Sequence, residues 1–303
     1  MKVSGNQISL GDAVSIIEKA AGRLEHRKLE VAPPFEIREE EPEKPRSKPI
    51  NGHDGRNENQ KTHKTIEINL AQLHQLGMVT PEGGRSQVAD EFRGIKRPLI
   101  KNAFSHDGEE IRHGNLIMVT SSLPGEGKTF CAINLAMSIA MEMDHTVLLV
   151  DADVARPTIL RTLGLMKPEA GLMDVLLDEK LDLADVMLKT NVDTLSILPA
   201  GKNHRHATEL LASQTMSNLL KEIADRYSDR IVIFDSPPVL LTNEARVLAS
   251  QMGQIVLVVE AEKTTQHAVK DTLRQIEACA NINLVYNKAK AFSGGDYYGY
   301  YYS

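Results

Sequence analysis

Between an apolar run, Leu116 to Thr120, and a helical stretch opening at Lys128 lies the segment Ser121-Ser122-Leu123-Pro124-Gly125-Glu126-Gly127-Lys128-Thr129. A strand that turns through closely spaced glycines straight into a helix leaves few folds open. Gly125 and Gly127 let the backbone bend until successive N–H groups converge, and the following helix adds the positive end of its dipole. Such a turn cradles phosphate. Lys128 is placed to bridge the β- and γ-phosphates of a nucleotide, and the Thr129 hydroxyl to ligate Mg2+. Gly125, Glu126, Gly127, Lys128, Thr129 and Phe130 are therefore the candidate ATP contacts. Ser122 stands where such loops carry their first glycine.

The rest of the chain agrees with this frame. Strands are predicted at Leu116–Thr120, Thr146–Asp151, Thr194–Leu198, Arg230–Asp235, Ile255–Glu260 and Asn283–Asn287, with helices over Ser86–Lys101, Lys128–Met143, Ala207–Tyr227 and Thr265–Ala280. Runs such as Val147-Leu148-Leu149-Val150 are apolar without alternation, as in strands covered by helices on both faces. The expected fold is α/β, three layers, with a mostly parallel central sheet flanked by helices. Ligands of such sheets bind at the C-terminal strand ends.

Four segments are expected. Residues 1–30 hold an amphipathic helix, Gly11 to Leu29, with Ala13, Ile16, Ile17, Ala20 and Leu24 on one stripe. It is either a docking element or an outlying helix packed on the main domain, and both readings stay open. Residues 31–64, with five prolines and the block Glu39-Glu40-Glu41, offer little apolar surface to offset ordering and read as a disordered linker. The catalytic domain is expected over 65–290. A tail, 291–303, carries five of the seven tyrosines, Tyr297, Tyr298, Tyr300, Tyr301 and Tyr302, behind Gly294-Gly295.

Two further motifs end on acids at strand termini. Asp151-Ala152-Asp153-Val154-Ala155-Arg156-Pro157 places two carboxylates at alternate positions, facing one way. Buried unpaired charge is costly, and a divalent cation would justify both. Arg156 either neutralises phosphate charge or caps an exposed turn. After Ile231-Val232-Ile233-Phe234, Asp235 suits a water-mediated contact to Mg2+, and Pro237-Pro238 would stiffen the turn beyond it. Thr129, Asp151, Asp153 and Asp235 are the candidate metal residues, and Lys128, Asp151 and Asp153 the candidate catalytic ones.

A formal charge of −6 gives no support for nucleic-acid binding. Cys131 and Cys279 lack metal-like or disulfide-like spacing, and Cys131 reads as a small buried side chain beside the loop. No apolar run reaches the ~20 residues that span a bilayer, and no signal-peptide core is present, so a cytoplasmic protein is expected. His204-Arg205-His206 lies on a polar stretch and reads as solvated.

The chain resembles the bacterial tyrosine kinases, phosphate-loop ATPases of exopolysaccharide synthesis. The resemblance rests on Gly125-Glu126-Gly127-Lys128-Thr129, Asp151-Ala152-Asp153, Asp235-Ser236-Pro237-Pro238 and the tyrosine-rich end. Phe92-Arg93-Gly94-Ile95-Lys96-Arg97-Pro98-Leu99 and Asp151-Ala152-Asp153-Val154-Ala155-Arg156-Pro157 are similar to the exosortase-associated tyrosine autokinases. That resemblance implies that Lys128, Thr129 and Asp235 bind ATP and Mg2+, and that Asp151 or Asp153 accepts the proton of a tyrosine. The five tail tyrosines would be the phosphoacceptors. It implies a ring-like homo-oligomer in which one subunit's tail enters the next subunit's site. Asp90, Arg93 and Lys96 occupy the positions of the family's Glu-x-x-Arg-x-x-Arg ring contact, and Asn287 that of an adenine-reading asparagine. A separate membrane polysaccharide co-polymerase, which would recruit the chain to the inner membrane, and a phosphotyrosine phosphatase are the implied partners. Two rival readings share the fold: a partition or division-site ATPase, whose lysine before the loop is replaced here by Leu123, and a catalytically inactive ATP-binding scaffold.

Overall fold

The computed structural model describes residues 65–104, 111–166, 168, 170–226 and 229–289. The predicted N-terminal helix, the linker and the tail tyrosines lie outside the described residues. The first elements are β1 (Thr65–Ile66), α1 (Leu70–Gln75), α2 (Gln87–Phe104), β2 (Leu116–Ser121), α3 (Lys128–Ala140) and β3 (Thr146–Asp151). Three short helices follow, α4 (Ile159–Thr162), α5 (Leu172–Leu177) and α6 (Leu183–Val186), then β4 (Leu188–Thr190) and β5 (Leu195–Leu198). The chain closes with α7 (Ala207–Leu211), α8 (Gln214–Arg226), β6 (Arg230–Asp235), α9 (Asn243–Ala249), β7 (Gln254–Glu260), α10 (Gln266–Gln275) and β8 (Ile282–Asn287).

The eight strands form one sheet in the order β1-β4-β5-β3-β6-β2-β7-β8. From β5 to β8 every neighbouring pair is parallel. β4 pairs antiparallel with β5, and β1 runs parallel to β4, so this edge alone is reversed.

Successive strand residues enter different cores. Ile117, Val119, Val147, Leu149, Ile231 and Ile233 pack on one face against α3, which is itself covered by Phe92 and Leu99 of α2. Leu116, Met118, Leu148, Val150, Val232 and Phe234 pack on the other face with Met216, Leu220 and Ile223 of α8 and Ala245 and Leu248 of α9. A strand apolar at every position is thus required by helices on both sides. Each such buried side chain stabilises the fold by about 1.5–3 kcal/mol. The expected three layers are present.

Local differences have identifiable causes. The helix predicted over Ala207–Tyr227 is two helices, broken where the Ser213 hydroxyl accepts the Met216 N–H at 3.1 Å and starts α8 afresh. β1 and β4 are two and three residues long, too short to leave a periodic trace. α10 begins where Thr265 caps the Ala268 N–H, as predicted, but ends at Gln275 rather than Ala280.

Candidate nucleotide site

The strand order β3-β6-β2 brings the ends of three strands together. β2 ends in the glycine loop, β3 in Asp151, and β6 in Asp235. Gly125 and Gly127 both hold positive φ, 85° and 95°, which a side-chain-bearing residue adopts only under strain. No side chain caps α3 at Gly127, so its first amides are left for a ligand. Above Gly125 there is open space within 4 Å. The loop is formed and accessible.

Ser122, in the place of a glycine, is fully buried, and its hydroxyl accepts from Thr272 of α10 at 2.8 Å. That bond accounts for a side chain at this position. Glu126 is 2% exposed, and its carboxylate accepts from the Leu123 N–H at 2.7 Å and from the Thr264 hydroxyl. It staples the loop rather than facing the cradle. Phe130 is partly buried, with its ring packed against the core that α3 covers. The side chains of both serve the loop and the core, which leaves the Glu126 backbone amide as its candidate contact to phosphate.

Lys128 lies among three carboxylates. Its Nζ donates to Asp153 Oδ2 at 2.9 Å and pairs with Asp235 Oδ1 at 3.7 Å. The Thr129 hydroxyl donates to Asp235 Oδ2 at 2.6 Å and lies 3.1 Å from the Thr158 hydroxyl. Asp151 accepts the Ile159 N–H at 3.0 Å, and Asp153 accepts the Arg156 N–H at 3.2 Å. Asp151, Asp153 and Asp235 are all buried, and Asp151 stands opposite Asp235 in the strand register. Burial first, then the charge of Asp235, pushes Asp151 up to about 7, while its bond from Ile159 pulls the other way. Burial also pushes Asp235 up to about 6, against the opposing pull of Lys128 and Thr129. For Lys128, burial alone would lower the pKa, but Asp235 and Asp153 outweigh it and hold the amine charged.

Two carboxylate oxygens here, Asp151 Oδ1 and Asp235 Oδ1, are buried without a hydrogen-bond partner. Orphaned anionic oxygens beside a threonine hydroxyl suit a hydrated Mg2+. Among the described residues no group of three or more His, Cys, Asp or Glu is arranged to hold a metal by itself. A cation held here would take its remaining ligands from water and nucleotide phosphates. The residues therefore fit ATP with Mg2+.

The other expected contacts divide between surface and interior. Arg156 is exposed, with only its backbone tied to Asp153. Asn287 is 1% exposed; its amide donates to Glu126 O at 2.7 Å and its Oδ1 accepts the Lys288 N–H at 2.6 Å. It braces the loop instead of presenting its edge to adenine. On α2, Asp90 and Arg93 pair with each other and reach solvent. Lys96 does not. It is 4% exposed, donates to Ser138 O near the end of α3, and pairs with Glu142 at 2.5 Å. As an intersubunit contact it is already spent within its own chain. Cys131 is fully buried and its thiol is raised by burial, an inert core residue. His204 and His206 lie on a polar turn before α7, 5.7 Å apart.

Thr158, Thr264 and Lys288 were missed by sequence reading. Lys288 holds φ at 55° just beyond β8, and its Nζ donates to Gly125 O at 2.8 Å. Thr158 left a signal, following Pro157 in the acidic motif; the others left none, because their partners lie over 130 residues away.

A parallel sheet with a formed phosphate loop and acids on the adjoining strand ends defines a phosphate-loop nucleotide-binding protein. An AAA-domain family model matches residues 114–288. The chain is 33% identical over 187 residues to tyrosine-protein kinase YwqD of Bacillus subtilis, covering 61% of this chain and 76% of that protein. It is 28% identical over 205 residues to tyrosine-protein kinase CpsD of Streptococcus agalactiae, covering 66% and 86%. Among solved structures, the kinase domain of Escherichia coli tyrosine kinase ETK aligns with a TM-score of 0.61 at 27% identity, over 80% of this chain and 88% of that one. The chain belongs to the bacterial tyrosine kinases.

Proposed function

We propose that this chain transfers the γ-phosphoryl group of ATP to the tyrosines of a neighbouring copy's tail, and that the modification regulates exopolysaccharide polymerisation and export. One observation carries the catalytic part: Lys128 and Thr129 open a helix at an uncapped glycine loop, facing carboxylates with two oxygens that accept no hydrogen bond.

With ATP seated, Lys128 swings from Asp153 to the phosphates, and the loop amides stabilise the charge on the transferring group. Thr129, with Asp235 and Asp151, would hold Mg2+, which supplies charge neutralisation on the phosphates. Lys128's departure frees Asp153 Oδ2, the more accessible of the strand-end acids at 6% exposure against 1% for Asp151. The tyrosine oxygen attacks the γ-phosphorus, the bond to the bridging oxygen breaks, and ADP leaves. Asp153 takes the phenolic proton, which a free tyrosine with a pKa of about 10 would hold.

Each phosphate adds about −1.5 to −2 charge to the tail. A multiply phosphorylated tail repels itself and leaves an acidic site, which loosens a ring of subunits; a phosphatase would reset it. A membrane co-polymerase would recruit the chain to the inner membrane; among the described residues no helix is long and apolar enough to cross a membrane.

Purified chain incubated with ATP and Mg2+ should acquire phosphotyrosine, and Lys128→Met and Asp153→Asn should reduce it at least 100-fold while retaining native circular dichroism. Equal labelling of wild type and both variants would place the chemistry elsewhere.

A further inference from the structure

Two carbonyls in the outer bend of the phosphate loop are held by the residues at the end of β8. Asn287, the last residue of β8, donates to Glu126 O at 2.7 Å, and Lys288, the next residue, donates through Nζ to Gly125 O at 2.8 Å. Lys288 is itself fixed. Its backbone sits at φ 55°, its N–H donates to Asn287 Oδ1 at 2.6 Å, and its Nζ lies 3.4 Å from Glu260 Oε1 at the end of β7. The Asn287 carbonyl accepts the Ala261 N–H at 2.7 Å, so the platform beneath this pair is also anchored.

A peptide unit is planar and trans, so the carbonyl of one residue and the N–H of the next point in opposite directions. Pulling Gly125 O outward towards Lys288 therefore turns the Glu126 N–H inward. Pulling Glu126 O towards Asn287 does the same for the Gly127 N–H. These are amides with which a nest of this kind grips phosphate oxygens. Both glycines at 125 and 127 lie at positive φ, where the backbone has alternatives and needs an external restraint to hold one of them.

On the reading of the chain as an ATP-dependent kinase, we propose that Lys288 is a positioning residue for phosphate binding: it sets the peptide plane that aims the Glu126 amide into the cradle, without itself touching the nucleotide. Lys288 also begins the segment that ends in the tyrosines, so the loop is tied to the point where the tail departs. A charged donor on a backbone carbonyl is among the stronger single hydrogen bonds.

The test is equilibrium binding of ADP and of inorganic pyrophosphate, with Mg2+, to full chains carrying Lys288→Met or Lys288→Arg, beside steady-state kinetics. Lys288→Met should weaken ADP and pyrophosphate together by about ten-fold, and Lys288→Arg should restore most of it. The KM for ATP should rise with kcat little changed, and the ligand-free melting temperature should stay near wild type. Undiminished ADP binding by Lys288→Met would overturn the proposal. So would loss of ADP affinity with pyrophosphate unaffected, since Lys288 would then serve the nucleoside. Loss matched by a collapse in ligand-free stability would also overturn it, as the residue would be merely structural. Failure of wild type to bind ADP at all would instead strike the kinase reading, and is seen separately.

Discussion

Asp153 and Asp235 both pair with one half-buried cation, Lys128, whose charge Asp151 also feels, and two oxygens of these acids accept no hydrogen bond. Removing that cation leaves buried carboxylates uncompensated, so Lys128→Met should lower the stability of the ligand-free chain by about 3 kcal/mol. A denaturant titration reads this directly, and an unchanged midpoint would mean the acids are better solvated than their burial implies. A different acid sets a pH dependence. Burial, opposed by a hydrogen bond to Gln87 and aided by the charge of Asp90, pushes Glu91 up to about 8 from 4.5. Between these values the folded chain keeps a proton that the unfolded chain has lost. Its stability contribution is thus intact below 4.5 and declines as pH rises to 8. Glu91→Gln should melt with wild type at pH 4.5 and above it at pH 8.5; melts that coincide at both would refute the shift. At this scale the sequence was legible wherever neighbours in the chain carry the signal: Lys128, Thr129 and Asp235, picked out by their motifs, meet at one place in the fold. It could not reach the side-chain partners of Glu126, Lys96 and Asn287, which are Thr264, Ser138 and the loop carbonyl. Such pairings form only once the sheet has closed.

At the scale of elements, α2 and α3 are joined by a buried charge at a helix end. Lys96 donates to Ser138 O, one of the last carbonyls of α3, where a cation also opposes the negative end of the helix dipole. Lys96→Ala should therefore destabilise the chain by about 1–3 kcal/mol, because the carbonyl stays buried and loses its donor. Arg93→Ala touches only the exposed pair with Asp90 and should change stability by less than about 0.5 kcal/mol, while weakening self-association if α2 faces a neighbouring copy. Thermal melts and sedimentation of both variants separate the two residues; a stable Lys96→Ala that fails to assemble would reverse this assignment. Element boundaries were readable where apolar runs meet charge. β3 and β6 fall on the expected residues because Asp151 and Asp235 end them. β1, β4 and the break between α7 and α8 were not, since a two-residue strand or one serine cap carries no period.

For the whole molecule, the parallel sheet puts the loop and the end of β8 at the same pole, and Lys288 touches Gly125 there. Tyr297 lies nine residues beyond Lys288, an extended span of about 30 Å. Chain length alone therefore lets a tail reach its own site, and transfer between copies must be tested rather than assumed from reach. The decisive mixture is a chain ending at Lys290, active but without acceptors, with full-length Lys128→Met, which has acceptors but no donor site. Transfer between copies requires that the Lys128→Met chain become labelled. It also requires that the initial rate per subunit of wild type rise with protein concentration until the sites fill. An unlabelled Lys128→Met chain together with a concentration-independent wild-type rate would make each molecule its own substrate, and Asp90 and Arg93 would then have no neighbour to recruit.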